Sequence, residues 1–297
     1  MCFSEQILYS KIAEKIVKSR VMDFWRNINI LNPNQFAYME GRSTLSELLS
    51  CYDEWAKSRN NRKPTDIAFL DFSKAFDSVP HERLLFKLER HGIDSSALQW
   101  FRNFLTGRMQ RVVLRVTCSS WSPVLSGVPQ GTILGPVLFI LYVNDISSGI
   151  LSTVKLYADD TKVYREISDI ARDTSILQSD LFHLGNWSEV WQLNVNASKC
   201  EIMRVAHKRD KSVPHYSLVP RGERLSSVSS VKDLGITISH DLLWTLHVVE
   251  AVLGLIKRAI GSINKEIFST LYKALVRPVL EYASPVWCPY LVRILFS

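Results

Sequence analysis

Two adjacent carboxylates, Asp159 and Asp160, lie in VKLYADDTKVY (154–164) between two apolar, tyrosine-bearing runs. Alternation on both sides predicts a β-hairpin with the acids at its tip. Neighbouring anions repel, so a tight turn carrying both is stabilised by a cation. Mg²⁺, held by one or two carboxylates plus substrate phosphates, suits such a place, while a solvated Asp-Asp turn is the other reading. A third acid, Asp71, ends the apolar run Ile67 to Leu70, and a buried strand ending there would deliver it beside the hairpin tip. Three acids from two segments could hold two metal ions roughly 3.5–4 Å apart, one activating an attacking hydroxyl and one steadying the leaving group. That is phosphoryl-transfer chemistry.

The surrounding chain is globular in composition, 46% hydrophobic and 22% charged over 297 residues, which excludes a disordered tail and leaves room for a sizeable core. Its net charge of +7 suits a polyanionic partner. Five scattered cysteines without zinc-type spacing point to a reduced compartment and no structural zinc. The start MCFSEQILYSKIAEK lacks the layout of a signal peptide, and the apolar run Ile133 to Val143 is too short for a bilayer and broken by Gly135 and Pro136. An intracellular chain without a membrane partner is the expectation.

Periodicity supplies the elements that must position the acids. Residues 1–31 read as a helix with Ile12, Ile16, Val17, Val21 and Phe24 at helical spacing. Thr44 and Glu47 suggest a capping box for a second helix carrying Leu45, Leu48, Leu49, Tyr52 and Trp55. Pro80 opens a helix (Leu84, Leu85, Leu88) closed by Gly92, and Ser95 and Ser96 start another that buries Trp100, Phe101, Phe104 and Leu105. From Arg108 to Val116 the pattern reads as a strand whose Arg108, Arg111 and Arg115 face either a template groove or solvent. A helix is expected over 132–146, and Leu177, Leu181, Leu184, Trp187 and Trp191 mark one that covers the sheet. Residues 206–224 read as a loop with exposed His207 and His215, followed by helical patterns at 242–263 and 266–276.

FLDFSKAFDSVPHERLL (69–85), SGVPQGTILGPVLFILYVNDI (126–146) and LYADD (156–160), in this order, resemble the core motifs of reverse transcriptases. With the flanking phrases NPNQF, GRST, LNVNASKC, VKDLGITIS and LYKALVRPVLEYASPVWCPY, the resemblance is to the jockey-like branch of non-LTR (LINE-type) retrotransposon enzymes. It implies an α+β polymerase right hand: partial fingers over 1–66, a palm with a small antiparallel sheet over 67–239, and a helical thumb over 240–297. It implies an RNA-directed DNA polymerase that joins a deoxynucleoside triphosphate to a primer 3′-hydroxyl on an RNA template, with two Mg²⁺ ions (or Mn²⁺) held by Asp71, Asp159 and Asp160. Lys199 is implied as general acid toward pyrophosphate, Phe76 as a gate under the sugar, Gln130 and Gly131 near the nucleotide and template base, Arg42 as a further nucleotide contact, and 231–238 as a primer grip. Read from the residues alone, Phe76 is as well a core aromatic, and Lys199 and Arg42 are solvated cations.

The sequence departs from the family at Ala37, Tyr38 and Met39, where Gly-Phe-Arg is usual, and its start lacks an Arg-Pro-Ile phrase. The expectation is an N-terminally truncated domain with a short thumb that makes slow, short products. A remnant that only binds nucleic acid stays open, as does a metal-dependent nuclease, which would need the acids but not the VPQG turn. The expected place is the nucleus when acting on target DNA, with the cytoplasm as the alternative.

Overall fold

The computed structural model describes residues 3–207, 214–218, 222–244, 246, 273 and 277–287. Helix α1 (Phe3–Asn27) packs through Val17, Val21, Met22 and Trp25, while Ile12, Ile16 and Phe24 of the expected stripe face solvent. The face is displaced because α1 lies against the start of a later helix and caps it: Glu14 Oε2 accepts from the amides of Ile133 (2.7 Å) and Leu134 (3.2 Å). Helix α2 (Thr44–Asn60) begins one residue earlier than the expected box implied. Its cap is Ser43, reciprocated by Ser46, which frees Glu47 to turn into the interior.

Strand β1 (Thr65–Leu70) is buried throughout. Its alternation divides the molecule, since Ala68 and Leu70 enter one core and Ile67 and Phe69 the other. Short α3 (Ala75–Ser78), α4 (His81–Arg90) and α5 (Ser95–Leu105) follow. In α5 only Phe101 and Leu105 are buried, whereas Trp100 stacks on Phe104 near the surface. The single strand expected over 108–116 is instead half of a ribbon made of β2 (Met109–Gln110), β3 (Val113–Leu114), β4 (Thr117–Cys118) and β5 (Ser122–Pro123), paired β2 with β5 and β3 with β4. Among the described residues no layer covers it, and its apolar residues stay in water.

Helix α6 (Leu134–Tyr142) is buried almost all round. The expected hairpin is β6 (Thr153–Tyr157) and β7 (Asp160–Glu166), and α7 (Ile170–Trp191) buries Leu177, Leu181 and Leu184 beneath the sheet. Strand β8 (Glu201–Val205) completes the centre. Within 206–224 the described residues are not plain loop: β9 (Ser217–Leu218) pairs with β10 (Glu223–Arg224), and buried Tyr216 hydrogen-bonds Asp66 (2.6 Å). His207 and His215 are exposed, as expected. With β11 (Ser226–Ser227) the main sheet runs β11-β8-β1-β7-β6, antiparallel except for the short parallel β11 edge.

The VKDLGITIS phrase forms a separate hairpin of β12 (Ser230–Asp233) and β13 (Ile236–Ser239). Its loop residues Leu234 and Gly235 both have positive φ, the type that matches strand twist. A Cβ on Gly235 would stand 3.2 Å from the Tyr282 ring, whose hydroxyl donates to Leu234 O (2.9 Å). Tyr282 lies between two short helices, Arg277–Glu281 and Ser284–Trp287. Apart from a few residues, the helices expected over 242–263 and 266–276 lie outside the described residues. Among the described residues, no helix is long and apolar enough to cross a membrane.

One buried cation joins three of these parts. Lys162 of β7 pairs with Glu47 of α2 (2.7 Å) and Asp233 of β12 (2.9 Å), with its side chain 1% exposed. Burial pushes both carboxyls up, while Lys162 pulls each back toward ionisation. Removing the cation alone would strand two buried acids. We expect Lys162→Met to destabilise the chain by about 3–5 kcal/mol, with partial recovery when Glu47→Gln is added. Urea unfolding of the single and double variants checks this; additive losses would show that the three charges do not act together.

Candidate active site

Asp71 leaves the end of β1 just beyond the Leu70–Thr161 pair, which sets it beside Asp160, the first residue of β7. The hairpin loop is Ala158 and Asp159, with Tyr157 paired to Asp160. Ala158 has φ +56°, a conformation that costs an L-residue roughly 1–2 kcal/mol. Gln35, buried in the NPNQF phrase, offsets this: its Oε1 accepts from Ala158 N (3.0 Å) and Ala37 N (2.9 Å), while backbone bonds join Asn34 and Phe36 to Leu156. Sequence reading noted that phrase without giving Gln35 a role. It follows two other amides, Asn32 and Asn34, so its residue type does not set it apart.

The NVNAS turn runs alongside Asp71, with Asn196 N donating to Asp71 O (2.8 Å) and Ser73 N to Asn194 O (2.8 Å). This places Lys199 Nζ 3.4 Å from Asp71 Oδ2, close enough to pair but without hydrogen-bond geometry. That oxygen is shut off from water and has no hydrogen-bond donor. Asp71, Asp160 and Lys199, with Val231, Lys232 and Asp233, line one cleft of about 160 Å³. The cleft therefore gathers two of the three predicted acids, the predicted lysine and the edge of the VKDLGITIS hairpin, while Asp159, in the hairpin loop next to Asp160, is not in its lining.

Charge crowding is visible in the acids. The Asp159 carboxyl is held up by burial and then by Asp71, with Lys199 opposing. Asp160 is pushed up to about 6, first by desolvation of its carboxylate and then by Asp159 and Asp233, with Lys162 opposing. As a residue Asp160 is exposed, so solvent screens part of that effect. Among the described residues no group of three or more His, Cys, Asp or Glu side chains is arranged to hold a metal ion by itself. The donor chemistry nevertheless fits hard divalent cations: oxygen ligands in excess of nearby positive charge, one of them orphaned.

The remaining predicted residues flank this cleft's supports. Phe76 is half-buried and stacks on Phe139 with centroids 4.2 Å apart. The SGVPQG turn is clamped to its segment by Val128 N to Phe76 O and Gly127 N to Val79 O, both 2.8 Å. A Cβ on Gly127 would lie 2.7 Å from the Asp77 backbone, so this is the glycine that close packing demands. Around Gly131 nothing lies within 4 Å of such a Cβ. Gln130 is exposed and donates from Nε2 to Asp77 Oδ1 (2.7 Å). Arg42 is not brought to the acids' cleft: its guanidinium donates to the carbonyls of Pro33 and Gln35 and lies over the Phe36 ring.

Comparison with known proteins places this arrangement. The family described as reverse transcriptase (RNA-dependent DNA polymerase) matches residues 6–238. The RNA-directed DNA polymerase from mobile element jockey of Drosophila melanogaster is 30% identical over 246 residues, covering 80% of this chain and 26% of that protein. The probable RNA-directed DNA polymerase from transposon X-element of the same species is 25% identical over 294 residues, covering 94% and 32%. The chain thus spans about a quarter to a third of the length of these curated relatives. Among solved structures, telomerase from Candida tropicalis in complex with a TWJ fragment of telomeric RNA shares the fold at TM-score 0.55 and 9% identity, covering 96% of this chain and 48% of that one. The right-hand α+β architecture expected from the motifs is the one found.

Folded Asp160 holds its proton more tightly than an unfolded carboxyl, so its ionisation costs stability as pH rises from the ordinary carboxyl range through about 6. Allowing for screening, Asp160→Asn should stabilise the metal-free chain by about 1 kcal/mol or less at neutral pH. Mg²⁺ should raise the Tm of the unmodified chain more than that of the variant. Equal Mg²⁺ shifts in differential scanning calorimetry would remove Asp160 from the metal site.

Proposed function

Because the chain belongs to the reverse transcriptase (RNA-dependent DNA polymerase) family, in the jockey-like non-LTR retrotransposon branch, we propose that it extends a DNA primer on an RNA template from deoxynucleoside triphosphates. The observation that carries this reading is the single cleft shared by Asp71, Asp160, Lys199 and the 231–233 strand edge. In this reading residues 1–66 act as part of the fingers, 67–239 as the palm and 240–297 as the thumb.

Asp71, Asp159 and Asp160 would hold two divalent cations, which lower the pKa of the primer hydroxyl and neutralise charge on the triphosphate. The side chains do the rest. Lys199, paired with Asp71, donates a proton to the departing pyrophosphate. Phe76, backed by Phe139, presents its open edge under the sugar and leaves no space for a 2′-hydroxyl. Gln130 is held by Asp77 through its amide nitrogen, which leaves its carbonyl oxygen for the nucleotide. The β12–β13 hairpin steadies the primer terminus through its backbone, in keeping with recognition of an A-form-like hybrid by shape. Primer extension on an RNA template tests the whole reading. Asp159→Asn should remove nucleotide addition while hybrid affinity, read by anisotropy, stays within about two-fold, because the lost charge serves the metals; equal extension by variant and unmodified chain would sink the assignment.

A weaker enzyme is the second reading, and residues 37–39 favour it. Ala37 is fully buried, Tyr38 exposed and Met39 half-buried, so this loop offers no cation to a triphosphate. Lys15 and Lys18 face Met39 across a cleft of about 680 Å³ and supply charge from another direction. A charge-assisted hydrogen bond contributes roughly 1.5–3 kcal/mol. Met39→Arg should therefore raise kcat/KM for nucleotide addition by about ten-fold or more in single-turnover extension. No gain would mean that the loop does not reach the nucleotide.

A further inference from the structure

We infer that the ribbon of β2 to β5, rooted on the turn that carries Gln130, is a contact surface for single-stranded nucleic acid. The inference rests on the polymerase reading for the identity of its ligand and not for its geometry. Every residue from Met109 to Pro123 is exposed, including Val112, Val113, Leu114, Val116 and Trp121. At the apex the two-residue loop Arg115–Val116 puts Arg115 at φ +55° and leaves Val116 98% exposed. A two-stranded ribbon with free edges and apolar side chains in water invites association. What covers it is decided by charge. Between Asp94 and Asp145 the sequence has no acid, and its cations there are Arg102, Arg108, Arg111 and Arg115. A second copy of the same ribbon would set arginine against arginine, whereas a polyanion with flat, apolar faces complements both features.

The side chains fit that ligand. The Arg111 guanidinium lies 4.7 Å from the centre of the Trp121 ring, a paired flat surface of the kind on which bases stack. Val116 and Leu114 at the apex are the aliphatic type that slots between bases, and Arg111 and Arg115 can neutralise phosphates. The root of the ribbon is fixed. Val124 N donates to Arg108 O (2.9 Å), and the Arg108 side chain donates to Leu105 O (2.9 Å) and Gly127 O (3.1 Å). Gly127 belongs to the turn that carries Gln130, so a strand bound along the ribbon passes the turn where the nucleotide would sit.

The test uses the full chain and a fluorescein-labelled single-stranded oligouridylate, read by anisotropy across a salt series. Arg111→Ser with Arg115→Ser should weaken binding and reduce the slope of log K against log salt by about 1.4, or roughly 0.7 for each lost phosphate contact. Trp121→Ala should weaken binding roughly ten-fold and Trp121→Phe much less. Circular dichroism identifies any variant that fails to fold; for that case a photocrosslinking residue at position 116 of the unmodified chain should give an RNA adduct. Unchanged affinity and slope, or no adduct, overturns the inference. So does a change in sedimentation without a change in RNA affinity, which would assign the ribbon to a protein partner. Binding needs no chemistry, so a chain that binds through the ribbon but does not extend primers overturns only the polymerase reading, and the reverse result overturns only this one.

Discussion

A buried ammonium with two carboxylates is the constraint on which the site depends. Lys162 occupies the β7 position two residues beyond Asp160 and therefore shares its face of the strand. Without water to screen it, this cation must have partners, and the two it has come from α2 and from the β12–β13 hairpin. Buried pairs add little net stability over apolar packing, yet they are costly to leave half-made. Their effect here is on relative position: α2, the acid-bearing strand and the hairpin can shift against one another only by exposing a charge. The same triad bears on the acids, because Lys162 pulls Asp160 toward ionisation while Asp233 pushes the other way.

Neutral hydrogen bonds fix the other walls. Gln35 closes the hairpin loop, Asn194 and Asn196 tie the lysine-bearing turn to the Asp71 strand, and Gly127 lets the SGVPQG turn lie on the Asp77 backbone. Each wall is thus held by groups that do not compete for a cation. The carboxylates themselves are left with few protein partners, which is what a site built to receive charge from its ligands requires.

The acids were legible in the sequence because strand ends and a tight turn fix a carboxylate's place locally: a buried run ending on Asp71 and a hairpin with Asp159 and Asp160 at its tip leave few other arrangements. Asn194 to Lys199 followed from the motif, and the structure puts Lys199 beside Asp71. The Lys162 triad was not legible. Its partner Glu47 lies 115 residues away, and a lysine in an alternating strand reads as solvent-facing. Glu47 was misread for a related reason: two neighbouring hydroxyl residues, Ser43 and Thr44, can each cap a helix, and the choice is made by what position 47 must bury. The ribbon failed in the opposite sense. QRVVLRV has the pattern of a packed strand, but periodicity records which residues are apolar and not whether a layer exists to cover them.

Taken together, Ala158 in a left-handed conformation, two neighbouring acids with raised pKa and an orphaned Asp71 oxygen are all unfavourable in the isolated chain. Gln35, Lys162 and Lys199 offset part of that cost, and positive charge arriving from outside would relieve more of it. A ligand that binds the folded chain alone stabilises it in proportion to the logarithm of its saturation, so folding and loading of this site are coupled. The coupling runs along β7, where Asp160 faces the cleft and Lys162 faces the triad. Were cations to bind these acids, they would tighten the strand that holds α2 and the β12–β13 hairpin, and disruption of the triad would weaken their binding by the same free energy.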